Sequence, residues 1–200
     1  IGSLISKHDG IYADKLNHAS LVDGCLMSKA SMQRYPHCNH EILAKLLQQE
    51  TTHNRFIITE GLFGMDGTTA PLKKIMSLAQ QSQAIVLLDD SHGMGILGSK
   101  GKGSIELANL SSQNLPILIG SFGKAFGTYG AFVAADSLVI ESIKQSARTY
   151  IYTTAIPPAL AAATLMSLKL IEIESWRREK LNDLILYFKK CAEQLKLVPS

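Results

Sequence analysis

The chain alternates between short strand-like runs and longer stretches whose apolar residues recur at helical spacing. Runs typical of strands cover 31–36, 55–59, 84–88, 115–120 and 130–135, and a shorter apolar run over 9–12 precedes Asp14. Helical spacing covers 19–30, 41–47, 71–82, 136–147, 158–174 and 179–195. Because strands and helices alternate, the pattern predicts an α/β layer with a largely parallel sheet.

A lysine stands between two glycines in the stretch Ser-Phe-Gly-Lys-Ala-Phe-Gly at 121–127. The stretch follows the run 115–120 and precedes the run 130–135, which places Lys124 on a tight connection at a strand end. Near a core, an ammonium group loses hydration, and this favours the neutral amine that condenses with an aldehyde to form a Schiff base. The simpler interpretation of an isolated Gly-Lys-x-x-Gly is a solvated loop lysine, so other residues must decide between the two.

Composition narrows the classes of protein to consider. With 200 residues, 46% of them hydrophobic, the chain can bury one substantial core and is expected to form one domain. The net charge of +3 is scattered, so nucleic acid is not an expected partner, and no apolar run is long enough to cross a membrane. Three cysteines without a C-x-x-C pair favour a reducing, cytoplasmic location over disulfides or zinc. Since the chain starts without methionine, we expect a piece of a longer protein.

Two of the predicted strands end in polar groups suited to chemistry. Asp89 and His92 follow the run 84–88, and Ser121 and Lys124 follow the run 115–120. Ligands of doubly wound sheets gather beyond the carboxyl ends of the strands. A lone aspartate at such a position is most simply a helix cap or half of a salt bridge. A Schiff-base lysine together with an aspartate for the pyridinium nitrogen, however, is what proteins contribute to pyridoxal 5'-phosphate (PLP) chemistry. With the two together, His92 could hydrogen-bond the phenolic oxygen of the cofactor.

Two competing patterns carry less weight. The stretch 93–98 spells G-x-G-x-x-G after a strand, but a basic glycine-rich loop follows it where a dinucleotide-binding helix should start, and no acidic residue lies near position 118. His37, Cys38 and His40 contain metal-binding residue types, but they lack a fourth ligand and a fitting spacing. We therefore expect neither a dinucleotide nor a metal.

Five ordered blocks span nearly the whole chain and resemble the α-oxoamine synthases, a family of fold-type I PLP enzymes. They are Asp-Lys-Leu-Asn-His-Ala-Ser at 14–20, Glu-Gly-Leu-Phe-Gly-Met-Asp-Gly at 60–67, Asp-Asp-Ser-His-Gly at 89–93, Gly-Ser-Phe-Gly-Lys-Ala-Phe-Gly at 120–127 and Tyr-Thr-Thr-Ala-Ile-Pro-Pro at 152–158. The resemblance implies the α/β fold of a fold-type I PLP-dependent transferase, a mostly parallel sheet between helices. Residues 1–200 would be the central part of its PLP-binding large domain, with an N-terminal segment and a C-terminal small domain outside them.

The resemblance also implies a role for each matching residue. Lys124 would form the Schiff base and shuttle protons, and His18 would stack on the pyridine ring. Asp89 would pair with the ring nitrogen and His92 with the phenolic oxygen. Ser121 would lie near the cofactor phosphate.

Two threonines in the last block imply an assembly. Thr153 and Thr154 match hydroxyl groups that reach the phosphate of a neighbouring subunit, which implies a homodimer with shared sites. The chain departs from the family at Gly64, where a serine is frequent, so that one hydrogen bond to the cofactor would be missing or supplied by water. The implied reaction joins L-alanine to an acyl-CoA or acyl-carrier-protein thioester with loss of carbon dioxide. The alternatives are another activity of the same family or a truncated, non-catalytic PLP-binding scaffold.

Overall fold

Six strands of the described chain form one sheet, in the order β2-β1-β3-β4-β5-β6. The computed structural model describes residues 1–49, 53–110 and 117–197. The strands are β1 (Gly10–Asp14), β2 (Ser31–Tyr35), β3 (Arg55–Glu60), β4 (Ile85–Asp89), β5 (Ile117–Ser121) and β6 (Ala131–Ala134). Each lies on a run noted in the sequence, although positions 115 and 116 of the fifth run fall outside the described residues.

Helices connect and cover these strands. They are α1 (Ala19–Ser28), α2 (His40–Gln49), α3 (Leu72–Ser82), α4 (Ser104–Leu107), α5 (Ser137–Ser146), α6 (Arg148–Ile151), α7 (Pro158–Ile173) and α8 (Trp176–Gln194). The sequence pattern predicted all of the longer helices to within a few residues. The stated ranges do not include the single turns α4 and α6, which are too short to show a periodicity.

The sheet is parallel from β2 to β5, and β6 pairs with β5 in the antiparallel direction. A parallel pair needs a crossover of a dozen or more residues, roughly the length of a helix with its loops. The connection from Ser121 to Ala131 is shorter than that, so β6 can only return antiparallel. The prediction of a largely parallel sheet between helices is confirmed.

Both faces of the sheet are buried, as expected for parallel strands. Alternation along β1 sends Ile11 and Ala13 to one face and Tyr12 to the other, and α1 covers the first face while α2 and α3 cover the second. The first core comprises Ile5, Ile11, Ala13, Leu21, Cys25, Phe56, Ile58, Leu87 and Ile117. The second comprises Tyr12, Tyr35, Leu43, Leu47, Ile57, Ile75, Ala79 and Val86. These two cores hold the strand ends in fixed register.

The C-terminal helices bury little of their apolar surface. No residue of α7 is buried, and in α8 only Arg178 and Ala192 are. The predicted amphipathic helix over 179–195 is present, but Leu184, Leu186 and Phe188 of its apolar face are exposed. Among the described residues, no helix combines the length and the apolar character that a membrane crossing requires.

Candidate active site

Three neighbouring strands end at one edge of the sheet with polar side chains. In the register of the sheet, Glu60 at the end of β3 lies opposite Asp89 at the end of β4, and Asp89 lies opposite Ile119 of β5. Ser121 ends β5 two positions further on. The carboxyl ends of the strands therefore bring together residues that are distant in sequence, as a ligand site in this kind of sheet requires.

The charges of four predicted site residues meet at this edge. Burial lowers the pKa of His92, the positive charge of Lys124 lowers it further, and Asp89 and His18 also act on it, Asp89 in the opposite direction. Asp89 is partly exposed, and its Oδ1 accepts a hydrogen bond of 2.9 Å from the backbone N–H of Ser91. The charges of His18, Asp89 and Lys124 thus act on the His92 imidazole at this edge of the sheet, and their sum together with burial favours its neutral form.

Glu60 is a member of this group that the sequence did not single out. Its side chain is buried, and Oε1 accepts a hydrogen bond of 2.6 Å from the backbone N–H of His18. Burial raises the pKa of Glu60; the backbone N–H groups of His18 and Gly64 lower it, while the charge of Asp89 raises it. The sequence could have indicated Glu60, because it is an acidic residue at the end of an apolar strand, as Asp89 is.

His18 is the N-terminal cap of α1. Its Nδ1 accepts a hydrogen bond of 3.2 Å from the backbone N–H of Ser20 and lies 2.8 Å from the Ser20 hydroxyl. The backbone N–H of His18 also donates to Glu60. These contacts hold the backbone and the Nδ1 edge of the imidazole in place, while the side chain remains exposed. An exposed ring held at the site edge is free to stack on a ligand.

Lys124 is presented by an ordered turn rather than buried in the core. The turn is closed by backbone hydrogen bonds from Phe122 to Gly130 and from Thr128 to Phe122, of 2.9 and 2.8 Å. Phe126 is buried and packs edge-on against Phe122, with ring centroids 5.4 Å apart. Lys124 itself is exposed. The sequence suggested that a nearby core would remove water from its ammonium group, and in the described part of the chain this is wrong. The phenylalanines anchor the turn and leave the amine accessible.

The hydroxyl residues make local contacts. The Ser121 Oγ accepts a hydrogen bond of 3.1 Å from the backbone N–H of Gly123 and so stabilises the start of the lysine turn. Thr153 and Thr154 follow α6 and are both exposed, and the Thr153 hydroxyl donates to the carbonyl of Thr149. The described contacts of Thr153 are thus within its own segment, and its reach toward another subunit stays a prediction.

Asp90 lies on the other side of the strand end and is fully buried. Its Oδ2 accepts a hydrogen bond of 2.7 Å from the backbone N–H of Ser104. A Cβ on Gly61, Gly93 or Gly103 would lie 2.4, 2.1 or 2.0 Å from its carboxyl oxygens. Burial raises the pKa of Asp90 to about 6. Of the glycines in the dinucleotide-like stretch 93–98, Gly93 thus packs against this carboxyl group, while Gly95 lies near Ala125 and Gly98 near Glu106.

A second polar cluster joins the ends of β1 and β2 to the loop after β3. The ligand-type atoms of Asp14, His37 and Cys38 lie within 4.8 Å of one another, a grouping that the sequence spacing did not predict. The buried Asp14 accepts bonds from the His37 ring and from the Cys38 N–H, of 3.0 and 2.8 Å. The other ring nitrogen of His37 lies 3.3 Å from Asp66 and 2.6 Å from the Thr68 hydroxyl. These atoms already satisfy one another, and burial raises the pKa of Cys38 to about 11. The cluster is a hydrogen-bonded clamp on the loop 61–67.

The fold and this edge of the sheet define a class of protein, the fold-type I PLP-dependent transferases. Residues 2–198 match the aminotransferase class I and II family, and the chain belongs to that family. Its curated relatives include the 8-amino-7-oxononanoate synthase of Nitrosococcus oceani, 47% identical over 197 residues that make up 98% of this chain and 52% of the relative. The same enzyme of Saccharophagus degradans is 47% identical over 202 residues, 100% of this chain and 51% of the relative. The chain spans about half the length of the curated relatives it matches.

Solved structures agree with the sequence relatives. The 8-amino-7-oxononanoate synthase of Francisella tularensis superposes with a TM-score of 0.84 at 35% identity, covering 96% of this chain and 56% of that one. A serine palmitoyltransferase from S. paucimobilis with a bound PLP–myriocin aldimine gives 0.86 at 31% identity, covering 91% and 46%. Both belong to the α-oxoamine synthases, so the resemblance found in the five sequence blocks is confirmed.

Proposed function

We propose that the chain is part of a PLP-dependent decarboxylating acyltransferase that condenses L-alanine with a pimeloyl thioester to give 8-amino-7-oxononanoate, a step of biotin biosynthesis. The observation that carries the proposal is the convergence of Lys124, Asp89, His92 and His18 at one edge of the sheet. The curated relatives support the specific reaction. Two stretches, 125–131 and 147–154, favoured this branch of the family already in the sequence.

The residues at the edge fit PLP. The exposed Lys124 amine can reach an aldehyde, and the partly exposed Asp89 carboxylate can accept a hydrogen bond from a pyridinium nitrogen. His92 has a lowered pKa and can donate one N–H to a phenolic oxygen from a neutral ring. The Ser121 hydroxyl lies at the start of the lysine turn, in reach of a phosphate on that side. Bound PLP supplies an electron sink for a carbanion at the amino-acid α-carbon.

Lys124 suits the proton transfers of this reaction. Its amine is carried on a flexible four-carbon stem by a turn that backbone bonds and buried phenylalanine hold in place. In the proposed reaction the Lys124 amine would remove the α-proton of the amino acid and later return one. Because the amine is mobile, this one lysine would serve first as base and then as acid.

We also propose a cytoplasmic homodimer with shared active sites. Tyr150, Ile151 and Tyr152 are large, apolar and exposed beside Thr153 and Thr154. Burying such residues against a second subunit would remove them from water and bring the threonine hydroxyls to the partner's cofactor phosphate. Residues 1–200 would then be the central part of the large domain, and the exposed faces of α7 and α8 would pack on the remainder of the enzyme.

Two other functions deserve a direct comparison. Another α-oxoamine synthase activity, of the 2-amino-3-ketobutyrate CoA ligase type, would use glycine and a shorter thioester at the same residues. A non-catalytic PLP-binding scaffold would keep the fold without turnover. The presence of Lys124, Asp89 and His92 together favours an enzyme, because a scaffold has no need of all three.

The test is a substrate comparison on the full-length protein. PLP should produce a visible absorbance band that alanine perturbs more strongly than glycine does, and pimeloyl-CoA or pimeloyl-carrier protein should then release 8-amino-7-oxononanoate, detected by mass. Perturbation by glycine alone would favour the ligase-type activity. A PLP band that neither amino acid changes would support the scaffold and contradict our proposal.

A further inference from the structure

The residues that lead into α1 are fastened to the end of β3 at two successive positions. The Asn17 side-chain amide donates to the Ile58 carbonyl over 2.8 Å, and the His18 backbone N–H donates to Oε1 of Glu60 over 2.6 Å. Asn17 and Glu60 are both buried. Ile58 belongs to the core that α1 covers, and Glu60, two positions further along the strand, lies on the same face. The end of β3 therefore holds the start of α1 in place.

A glutamate at this buried position is unfavourable unless its carboxyl group is hydrogen-bonded. Removing a carboxylate from water costs free energy, and an apolar side chain of the same length would fill the space without that cost. An apolar side chain, however, would leave the His18 N–H without its acceptor. Burial raises the pKa of Glu60, and the N–H groups of His18 and Gly64 lower it, because they stabilise the charged form. What the glutamate adds at the end of β3 is therefore a charged acceptor for these backbone groups.

The position of the His18 backbone determines where the imidazole lies. Nδ1 accepts a hydrogen bond of 3.2 Å from the Ser20 N–H, which fixes the ring relative to its own backbone. The His18 carbonyl accepts hydrogen bonds from the N–H groups of Leu21 and Val22, of 3.0 and 3.2 Å. The imidazole and the first turn of α1 therefore form one unit with the His18 backbone. Among the described hydrogen bonds, the one to Glu60 joins this unit directly to the end of β3.

We propose that Glu60 is a positioning residue for His18, because its carboxylate holds the His18 backbone at the edge of the sheet where Asp89 lies. Glu60 is opposite Asp89 in the register of the sheet, so the imidazole is tied to the strand next to the one that ends in Asp89. In the proposed function, this hold keeps the imidazole where it stacks on PLP. The hold on the backbone is independent of the cofactor; only the ligand of the ring rests on the proposed function.

Two substitutions of similar length separate the hydrogen bond from the charge. Glu60→Gln keeps an oxygen acceptor but loses the negative charge beside Asp89. Glu60→Met loses the charge as well, and its thioether is only a weak acceptor. A consequence of the lost charge therefore appears in both variants, whereas a consequence of the released His18 N–H appears in Glu60→Met alone. Glu41→Ala is the control, because Glu41 is exposed on α2.

The first test measures the His18 amide in the PLP-free full-length protein. Hydrogen exchange of this amide, followed by NMR on protein with isotope-labelled histidine, should be about tenfold or more faster in Glu60→Met than in the wild type. Glu60→Gln should exchange much more slowly than Glu60→Met, and Glu41→Ala should exchange as the wild type does. If Glu60→Met does not fold, as judged by circular dichroism, Glu60→Ala takes its place. Unchanged exchange in Glu60→Met, or equal acceleration in Glu60→Gln and Glu60→Met, would overturn the proposal.

The second test asks whether Glu60 acts on PLP through His18. Glu60→Met should weaken PLP binding by about tenfold, the loss expected when an aromatic ring no longer stacks on the ligand, and Glu60→Gln should weaken it much less. In a His18→Ala background, Glu60→Met and Glu60→Gln should bind PLP equally, because no imidazole is left to position. A difference that persists without the imidazole, or a Glu60→Met variant that binds as the wild type does, would contradict positioning through His18. If the wild type fails to bind PLP, the proposed function fails, and hydrogen exchange alone decides the hold on His18.

Discussion

Asp89 and Asp90 are adjacent in the chain, yet their carboxyl groups serve different parts of the molecule. Asp89 ends β4 partly exposed, close enough to His92 and Glu60 for its charge to shift the pKa of both. Asp90 is fully buried and accepts a hydrogen bond from the backbone of Ser104. Successive side chains of a strand point to opposite sides, which explains the division. One carboxyl group faces the candidate site, and the other holds the glycine-rich segment behind it.

This division predicts unequal effects of two matched substitutions. Asp89→Asn should leave PLP bound but lower kcat by about a hundredfold or more, because the amide cannot stabilise a positive charge on the ring nitrogen. Asp90→Asn should change kcat much less, since its carboxyl group lies outside the site. Steady-state kinetics and PLP absorbance of the two full-length variants give the comparison. Equal losses of kcat would mean that the wrong carboxylate has been assigned to the cofactor.

The burial of Asp90 predicts a pH dependence of stability. Its pKa of about 6 in the folded state exceeds the value of about 3.9 expected in the unfolded chain, so the folded state binds the proton more tightly. The free energy of unfolding contributed by this group is therefore greatest below about pH 4 and falls as the pH rises to about 6. The full loss above that pH is of the order of 3 kcal/mol.

Replacing the group should remove that dependence. The asparagine of Asp90→Asn does not titrate. As the pH rises from 4 to 7, the free energy of unfolding of the variant should therefore increase relative to that of the wild type. Urea unfolding at several pH values measures the gain. Asp23→Asn is the control, because Asp23 is exposed on α1. A gap between Asp90→Asn and the wild type that stays constant over this range would contradict the raised pKa.

Local patterns predicted what depends on local physics. The strand ends carrying Asp89 and Lys124 followed from apolar runs that stop at polar residues, and the opposite directions of Asp89 and Asp90 followed from strand alternation. The exposure of Lys124 could not be predicted from the sequence pattern, because it depends on how Phe122 and Phe126 pack against each other beneath the turn. Flanking glycines indicate a tight turn but not which of its side chains faces the core.

Other features depend on pairings between distant parts of the chain. Glu60 enters the site through the register of β3 with β4, which places it opposite Asp89. Asp14 meets Cys38 across 24 positions, and Gly64 meets His92 across two loops. Residue types alone cannot report such contacts, because the register and the loop positions are set by the two cores. The five sequence blocks contained all of these residues except Cys38, without showing which of them touch.

Lys124 should be the only lysine that forms a reducible adduct with PLP. Lys124→Ala should lose the borohydride-reducible adduct and remain folded, because its side chain is exposed and contributes no buried surface. Peptide mass mapping of the reduced wild type should place the adduct on Lys124. Lys100→Ala and Lys102→Ala are matched controls from the neighbouring basic loop and should keep it. An adduct that maps to Lys100 or Lys102 would refute the assignment of the nucleophile.

Shared active sites predict that two impaired variants can partly restore each other's activity. Thr153 and Thr154 are exposed beside large apolar residues, and we expect their hydroxyls to reach the partner's cofactor phosphate. Replacing both by alanine should weaken PLP retention by about tenfold or more. When this variant is mixed with Lys124→Ala, each mixed dimer has one site with both defects and one site with neither. With free exchange, half of the dimers are mixed, and activity should return to about a quarter of the wild-type level.

The control for this experiment is a mixture in which both substituted residues serve the site of their own chain. Lys124→Ala mixed with Asp89→Asn changes two residues whose charges act on His92 of the same chain, so each site of the mixed dimer keeps one defect and activity should stay low. Subunit exchange is verified by mass spectrometry of differently tagged chains. If exchange is complete and the threonine mixture shows no recovery, Thr153 and Thr154 act in their own chain's site or in none. The site would then be built from one chain, and the exposed residues 150–152 would need another explanation.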